Sequence, residues 1–389
     1  MTNSGTSDAG EARLSLIRMR LAEVEDPVFG KDVLQKRIVR DLALHGDKLS
    51  LTIAKPTPFH PADEVERRIR AALRESGPSD IAARVILDVP EAQALLSKNQ
   101  IPGVKNVVAV SSGKGGVGKS TVAVNLACAL ARAGASVGIL DADVYGPNVP
   151  IMLGASGTPT GEQGKIQPIR AHGMQVMSMA FLVPEEQPVI WRGPMLHSAM
   201  KQFLFDVQWG QLDYLLVDLP PGTGDAQLSL AQQSHLMGAV VVTTPQDVSV
   251  LDVRKAIKMF EQVNVPVLGI VENMAGLVLR GRAEGATAGL EVDGSDGPQR
   301  VEVDAEGRFE TTIDVFGVGG GAKIAERYGI PLVGRVPLDP ACRVGGDTGK
   351  PIALENEDRA IVGRFRDLAA AVANRIAALD FETMAAMSV

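Results

Sequence analysis

The sequence predicts an α/β protein built on a mostly parallel sheet, preceded by a small α+β domain. Two observations predict it. From Asn106 onward, short and almost wholly apolar strands alternate with helical stretches, the pattern of a parallel sheet covered on both faces. Before residue 90 the pattern is different: two helices and a few alternating strands, the makings of a compact α+β unit.

Residues 1–10, MTNSGTSDAG, are small and polar and are expected to be disordered. Residues 11–90 hold the small domain. ARLSLIRMRLAEV reads as a helix leading to a turn at Asp26-Pro27, and KLSLTIAKP alternates as a strand. DEVERRIRAALRES is an amphipathic helix after Pro61, and ARVILDV is a closing strand. Residues 91–105 follow Pro90, contain Pro102 and Gly103, lack a clear period, and read as a linker.

The second domain covers residues 106–389. Its strands are VVAVSS, SVGILDAD, YLLVDLP, GAVVVTTP, VLGIVENM and IPLVGRVPL, with helices such as TVAVNLACALARA and LDVRKAIKMFEQV between them. A terminal helix is expected over residues 358–378. Residues 275–313 break the rhythm, being rich in Gly, Glu and Asp. There RVEVD and RFETTI alternate on either side of AEG, which predicts a β-hairpin within an inserted flap.

With 389 residues, two or three domains and a large core are expected. A hydrophobic content of 45% and a charged content of 22% suit a soluble globular chain. The net charge of −7 opposes bulk attraction to nucleic acid or to an anionic membrane, so neither is expected as a partner. The two cysteines, Cys128 and Cys342, exclude a disulfide framework and any CxxC pair within one chain, and suit a reducing compartment. The N-terminus has no basic region followed by an apolar core, and no apolar run approaches the roughly 20 residues of a membrane helix. A cytoplasmic location is expected.

The stretch GKGGVGKS, residues 113–120, follows an apolar strand and opens a helix, the context that a P-loop requires. Backbone N–H groups of Gly113, Lys114, Gly115, Gly116, Val117 and Gly118 can surround a phosphate, and the helix N-terminus adds a favourable field. Lys119 is expected to reach the β- and γ-phosphates of ATP, Ser120 to coordinate Mg²⁺, and Thr121 to lie near the α-phosphate. The second domain therefore reads as a P-loop NTPase domain. LLVDLPPGTGD ends a strand at Asp218, a carboxylate placed to hold Mg²⁺ through water, with Gly222 and Gly224 in a loop that senses the γ-phosphate. Asp141 and Asp143 follow another strand, and sheets of this kind bind ligands at the carboxyl ends of their strands. Asp141 is expected in the metal shell and Asp143 as the group that orients the attacking water; the alternative for each is a solvated strand end.

That leaves Lys114, too early in the loop to duplicate Lys119. KGGxGKS resembles the deviant Walker A motif of the MinD/ParA/nitrogenase-iron-protein group. The resemblance implies that Lys114 reaches across a homodimer and supplies catalytic charge to the partner subunit's nucleotide, the role of an arginine finger elsewhere. Longer stretches narrow the group. DADVYGPNVPIMLG from Asp141, GPMLHSAMKQFLFDVQWGQLDYLLVDLPPGTGDAQLSLAQ from Gly193, VENM from Val271 and FGVGGGAKIAERYGIPLVGRVPLDP from Phe316 resemble the Mrp/ApbC family of iron–sulfur cluster carrier ATPases. The resemblance covers nearly all of residues 104–355. EDPVFGKDVLQKRIVRDLALHGDKLSLTIAKPTPFHP, from Glu25, is similar to that family's N-terminal domain. What the resemblance implies is ATP hydrolysis, a homodimer, and a 4Fe–4S cluster held between subunits for delivery to apoprotein clients. It also implies that Asn273 reads the adenine and that the PLDP stretch, with Pro337 and Asp339, closes over the base.

The chain departs from that family at the cluster ligands. Such carriers usually have a CxxC shortly after the ENM motif, where this chain has MAGLVLRGRAEG; their N-terminal domain usually has a TPxCP-like turn, where this chain has TPFHP with His60. A cluster held by four thiolates needs two from each subunit at one place. Cys128 reads as a small core residue of a helix, and Cys342 has no thiol beside it. His60 reads as a loop histidine or a replacement ligand, and Trp191-Arg192 as a nucleotide-responsive surface or a packing anchor. Two functions stay open: an ATP-hydrolysing carrier that transfers clusters, and a cluster-free, ATP-dependent dimeric switch that recruits a partner protein.

Overall fold

The computed structural model describes residues 5–387 except 31, 75–76, 92–99, 145, 163, 183–192, 285–288, 295–296 and 357–358. Most of the linker segment and Trp191-Arg192 thus lie outside the described residues. The chain divides into two compact units, one of residues 1–93 with 373–389 and one of residues 94–372.

The smaller unit contains α1 (Gly5–Ala22), β1 (Val39–His45), β2 (Lys48–Lys55), α2 (Ala62–Ala72) and β3 (Asp80–Leu87). Its sheet runs β1-β2-β3, antiparallel between the first pair and parallel between the second. Val65 and Ile69 of α2 meet Ile17 and Leu21 of α1 and Leu49, Leu51 and Ile53 of β2 in one apolar core. Asp63 and Glu64 stand in the first turn of α2, where their charge complements the helix dipole. Composition predicts disorder over residues 1–10, but α1 already begins at Gly5.

The alternation of elements assigns residues 373–389 to the second domain; the structure packs them into this unit. Phe381 sets its edge on Phe29, with ring centroids 5.1 Å apart and an interplanar angle of 86°. The Lys36 ammonium lies 4.4 Å from the Phe381 ring centroid, and the Thr57 hydroxyl donates to Asn374 at 3.0 Å. Long-range apolar partners, which local periodicity does not reveal, decide where this segment belongs.

The larger unit begins with β4 (Val104–Ser112), α3 (Lys119–Arg132), β5 (Val137–Asp141) and the short α4 (Val149–Met152). A minimal pair, β6 (Gly161–Glu162) and β7 (Lys165–Ile166), precedes β8 (Ile169–Ala171) and β9 (Met174–Ser178). Then come α5 (Gly193–Phe205), β10 (Leu212–Asp218), α6 (Asp225–Gln233), β11 (Gly238–Thr243), α7 (Asp247–Gln262) and β12 (Val267–Arg282). The remainder is β13 (Leu290–Gly294), β14 (Gly297–Val301), β15 (Arg308–Ile313), α8 (Gly320–Tyr328), β16 (Leu332–Leu338), α9 (Pro340–Asp347) and α10 (Ala360–Met387).

Among the described residues, nine strands form the main sheet in the order β15-β12-β11-β4-β10-β5-β9-β8, with β16 also on β12. Its centre is parallel; β8 and β15 add antiparallel strands at the two ends. The apolar runs are buried because helices cover both faces: residues 107–110 of β4, 215–217 of β10 and 240–242 of β11 are all in the core. Parallel strands bring their carboxyl ends to one edge of the sheet. The P-loop, Asp141, Asp218 and Asn273 follow or end β4, β5, β10 and the sheet-central half of β12, and so converge there.

The flap is built differently from the local prediction. RFETTI, β15, meets RVEVD only at the turn, where the Asp304 N–H donates to the Arg308 carbonyl at 2.9 Å; its ladder is with residues 277–282 of β12, antiparallel, placing Arg280 opposite Glu310. Arg300 and Val301, the first two residues of RVEVD, belong to β14, which pairs instead with β13. β12 runs on for 16 residues, well past the sheet centre, and offers RFETTI a longer partner than the adjacent turn does.

Candidate active site

The P-loop wraps from β4 to α3. Gly116 and Gly118 have φ of 81° and 78°, the left-handed region that a side chain disfavours. A Cβ on Gly118 would stand 2.3 Å from Asn273 Nδ2, and one on Gly113 would stand 2.2 Å from the Asp252 carbonyl carbon. The Ser112 hydroxyl donates to the Lys114 carbonyl at 2.9 Å. No side chain caps α3, so its first N–H groups face the loop's concavity.

Beneath the loop the charged groups hold one another. Lys119 Nζ donates to Asp218 Oδ1 at 2.6 Å and lies 3.9 Å from Asp143 Oδ2. Ser120 Oγ donates to Asp218 Oδ2 at 2.6 Å. Burial pushes the Asp218 carboxyl up, while the Lys119 ammonium and the Ser120 hydroxyl pull against that shift. Burial, and then the charge of Asp218, also push Asp141 well above the ordinary carboxylate range.

Asp141, expected in the metal shell, uses both oxygens on its own surroundings. Oδ1 accepts the Asp143 N–H at 3.1 Å; Oδ2 accepts the Val149 N–H at 3.2 Å and the Ser178 hydroxyl at 3.1 Å. Those bonds fix the loop that carries Asp143 and the entry to α4. Asn273, expected at the adenine, donates its side-chain N–H to the Val117 carbonyl at 2.8 Å and so braces the P-loop.

A cavity of about 500 Å³ opens over this floor. Lys114, Gly115, Gly116, Gly118, Lys119, Ser120, Thr121, Asp143, Asn273, Pro337 and Asp339 all line it. Residues that sequence reasoning missed help to complete the wall: Asn148, Ile151 and Met152 on one side, and Arg343 and Gly346 of α9, beside Cys342, on another. A signal for α9 was present. Asp339 is followed by Pro340, and the Asp339 side chain accepts the Ala341 N–H at 2.8 Å, an N-cap with proline at the first helical position. Glu272 was missed too; its buried carboxylate accepts the Gly321 N–H at 2.7 Å and Arg335 Nε–H at 2.9 Å, locking α8 and β16 to β12.

The thiols are separate from one another. Cys128 is buried in α3 and Cys342 stands in the cavity wall; burial pushes each thiol up to about 12, aided at Cys342 by Asp339 and Glu355. Among the described residues no three His, Cys, Asp or Glu side chains are grouped to hold a metal ion. His60 hydrogen-bonds through Nε2 to Asp26 Oδ2 at 2.6 Å inside the smaller unit, a buried pair rather than a metal site.

A sequence profile described as NUBPL iron-transfer P-loop NTPase matches residues 103–291 and 303–373. The chain belongs to this family. Residues 15–85 match a second profile, described as iron-sulfur cluster assembly protein. A Synechocystis relative named iron-sulfur cluster carrier protein is 43% identical over 365 residues, covering 92% of this chain and 96% of its own. The Escherichia coli K12 protein of the same name is 38% identical over 380 residues, covering 97% and 96%. Among solved structures, a nucleotide-binding protein from Archaeoglobus fulgidus in complex with ADP, in which cobalt was found, is 35% identical. Its TM-score is 0.51, over 66% of this chain and 92% of that one. The iron-transfer P-loop NTPase match spans the site but leaves out residues 292–302, which lie inside the flap. No helix among the described residues is long and apolar enough to cross a membrane.

Proposed function

We propose that this chain is an ATP-hydrolysing iron–sulfur cluster carrier that works as a homodimer and passes clusters to apoprotein clients. The observation that carries the ATPase reading is the contact of Lys119 and Ser120 with Asp218 at the mouth of a glycine-shaped loop. Lys119 would exchange Asp218 for the β- and γ-phosphates of ATP. Ser120 and Asp218 have the hard oxygens that suit Mg²⁺, and both already point to one place. When bound there, the ion would neutralise charge on the phosphate tail. Asp143, held by the Asp141-ordered loop, would orient the attacking water. Asp141 itself suits a positioning role better than a ligand's. Lys114 would complete the site of a second copy. The test is ATP turnover against protein concentration: activity per chain should rise with dimerisation, and a monomer that turns over at full rate would defeat the dimeric reading.

Cluster carriage is supported by the family and by the names of the relatives. The cysteines of this chain do not suit thiolate ligation of a shared cluster, because Cys128 is buried, Cys342 is half-buried, neither has a second thiol beside it, and burial raises both thiols to about 12. That observation favours a second reading, a nucleotide-driven switch that recruits a partner without a cluster. Anaerobic reconstitution with iron and sulfide separates the two. A stable, stoichiometric cluster absorbance supports the carrier, and its absence supports the switch.

A further inference from the structure

The flap stands where the sequence resemblance leads one to expect the CxxC, yet it is built onto the nucleotide wall. β12 makes the connection as a single strand. Asn273, in its first half, holds the Val117 carbonyl of the P-loop, and residues 277–282, in its second half, ladder with β15. Between the halves the pairing with β16 shifts register. Met274 has φ of 57° and lines the cavity; Gly276 has φ of 83°. A Cβ on Gly276 would meet Thr312 at 2.4 Å, so β15 lies directly on this bulge.

A side-chain link runs parallel to the strand. Arg280 donates Nε–H to Glu310 Oε2 at 2.8 Å across the ladder, and its Nη1 lies 3.8 Å from Asp339 Oδ2. The other oxygen of Asp339 caps α9, which carries Cys342, Arg343 and Gly346 into the nucleotide wall. One carboxylate is thus shared between the helix beside the nucleotide and the strand of the flap. Pro337 and Asp339 also line a second cavity, of about 450 Å³, on the flap side with Arg280 and Glu310.

We propose that Arg280 is a positioning residue for the nucleotide: through Asp339 it ties the flap to α9, so that filling the nucleotide cavity and ordering the β12–β15 ladder favour each other. The inference rests on the nucleotide reading of the cavity given above. Coupling of this kind is reciprocal, so whatever docks on the flap also changes nucleotide affinity. Arg280 is about half exposed, and an ion pair in that setting is worth about a two- to fivefold change in affinity.

The experiment uses the full chain. A fluorescent ATP analogue with Mg²⁺ is titrated into the wild type, Arg280→Gln, Arg280→Lys, Glu310→Gln and Lys119→Ala. Amide hydrogen exchange of residues 277–282 and 308–313 is followed with and without ATP and Mg²⁺. In the wild type, nucleotide should slow exchange in the ladder. Arg280→Gln should weaken binding about two- to fivefold and abolish that response. Arg280→Lys should restore part of both, and Glu310→Gln, which loosens the ladder but leaves Asp339 its Arg280 partner, should weaken binding less than Arg280→Gln does. The proposal is overturned if Arg280→Gln binds normally, if its ladder still responds, or if Glu310→Gln weakens binding equally, which would mean general loosening of the flap. Undiminished binding by Lys119→Ala is a separate result, and it overturns the nucleotide reading itself.

Discussion

Lys119 Nζ lies 2.6 Å from Asp218 Oδ1 in the buried floor of the P-loop cavity, and each charge is the other's nearest answer. Taking away one member of such a pair leaves the other buried and uncompensated, at a cost of about 3–5 kcal/mol, whereas replacing both by apolar groups is often close to neutral. Lys119→Met and Asp218→Leu should therefore each lower stability in urea denaturation, and the double variant should regain most of the loss. All three should lose ATP binding. Single variants as stable as the wild type would mean that the pair contributes nothing to the fold.

Lys114 is half-buried on the loop, with its carbonyl fixed by Ser112. Lys114→Ala should keep ATP affinity within a few-fold and lower kcat steeply, toward the 10³- to 10⁵-fold loss, in order of magnitude, that follows removal of a trans-acting cation. Mixing this variant with a binding-deficient Lys119→Ala chain should restore part of the turnover in the heterodimer. No recovery on mixing, or normal turnover by the variant alone, would exclude the trans role.

Gly118 combines a φ of 78° with an approach of 2.3 Å from its built Cβ to Asn273 Nδ2. Gly118→Ala should weaken nucleotide binding by about five- to thirtyfold, because the left-handed conformation alone costs an ordinary residue about 1–2 kcal/mol. Isothermal titration measures it, and unaltered circular dichroism guards against simple misfolding. Asn273→Ala should produce a smaller loss through the same loop.

Asp26 gives the smaller unit an acid-sensitive joint. Burial pushes its carboxyl up, but the hydrogen bond from His60 and the N–H groups of Phe29 and Val28 outweigh burial and leave it below its ordinary value of 3.8. A depressed folded pKa means that the native state binds fewer protons than the unfolded chain in this range. The stabilisation is full above 3.8 and is lost as pH falls through the lower, folded value. Asp26→Asn should flatten the fall of the urea midpoint as the pH drops below about 4. A variant with the wild-type acid slope would show that the pair does not report on this carboxyl.

The P-loop was legible because everything it needs is adjacent in sequence: an apolar strand, glycines at fixed spacing, and a helix. Asp218 was legible for the same reason, as an acid at the end of an apolar run. What escaped was non-local. RFETTI has the alternation of a hairpin arm, but its partner is set by how far β12 extends, which no local period encodes. The bonds by which Asp141 and Asn273 also brace their loops, to Val149, Ser178 and Val117, join residues that no sequence spacing brings together. His60 finds Asp26 across 34 residues and hides with it, a relationship that spacing alone could not suggest.

Phe381 on Phe29, and Asn374 beside Thr57, bind the last residues of the chain into the same core as the first. During synthesis, N-terminal domains ordinarily fold as they leave the ribosome. Here the leading unit emerges lacking one of its own walls, which is translated only after the whole P-loop unit. Its completion must therefore wait until residues 373–387 have been made, and a fragment cut at residue 93 would be an unfinished body rather than an excised module.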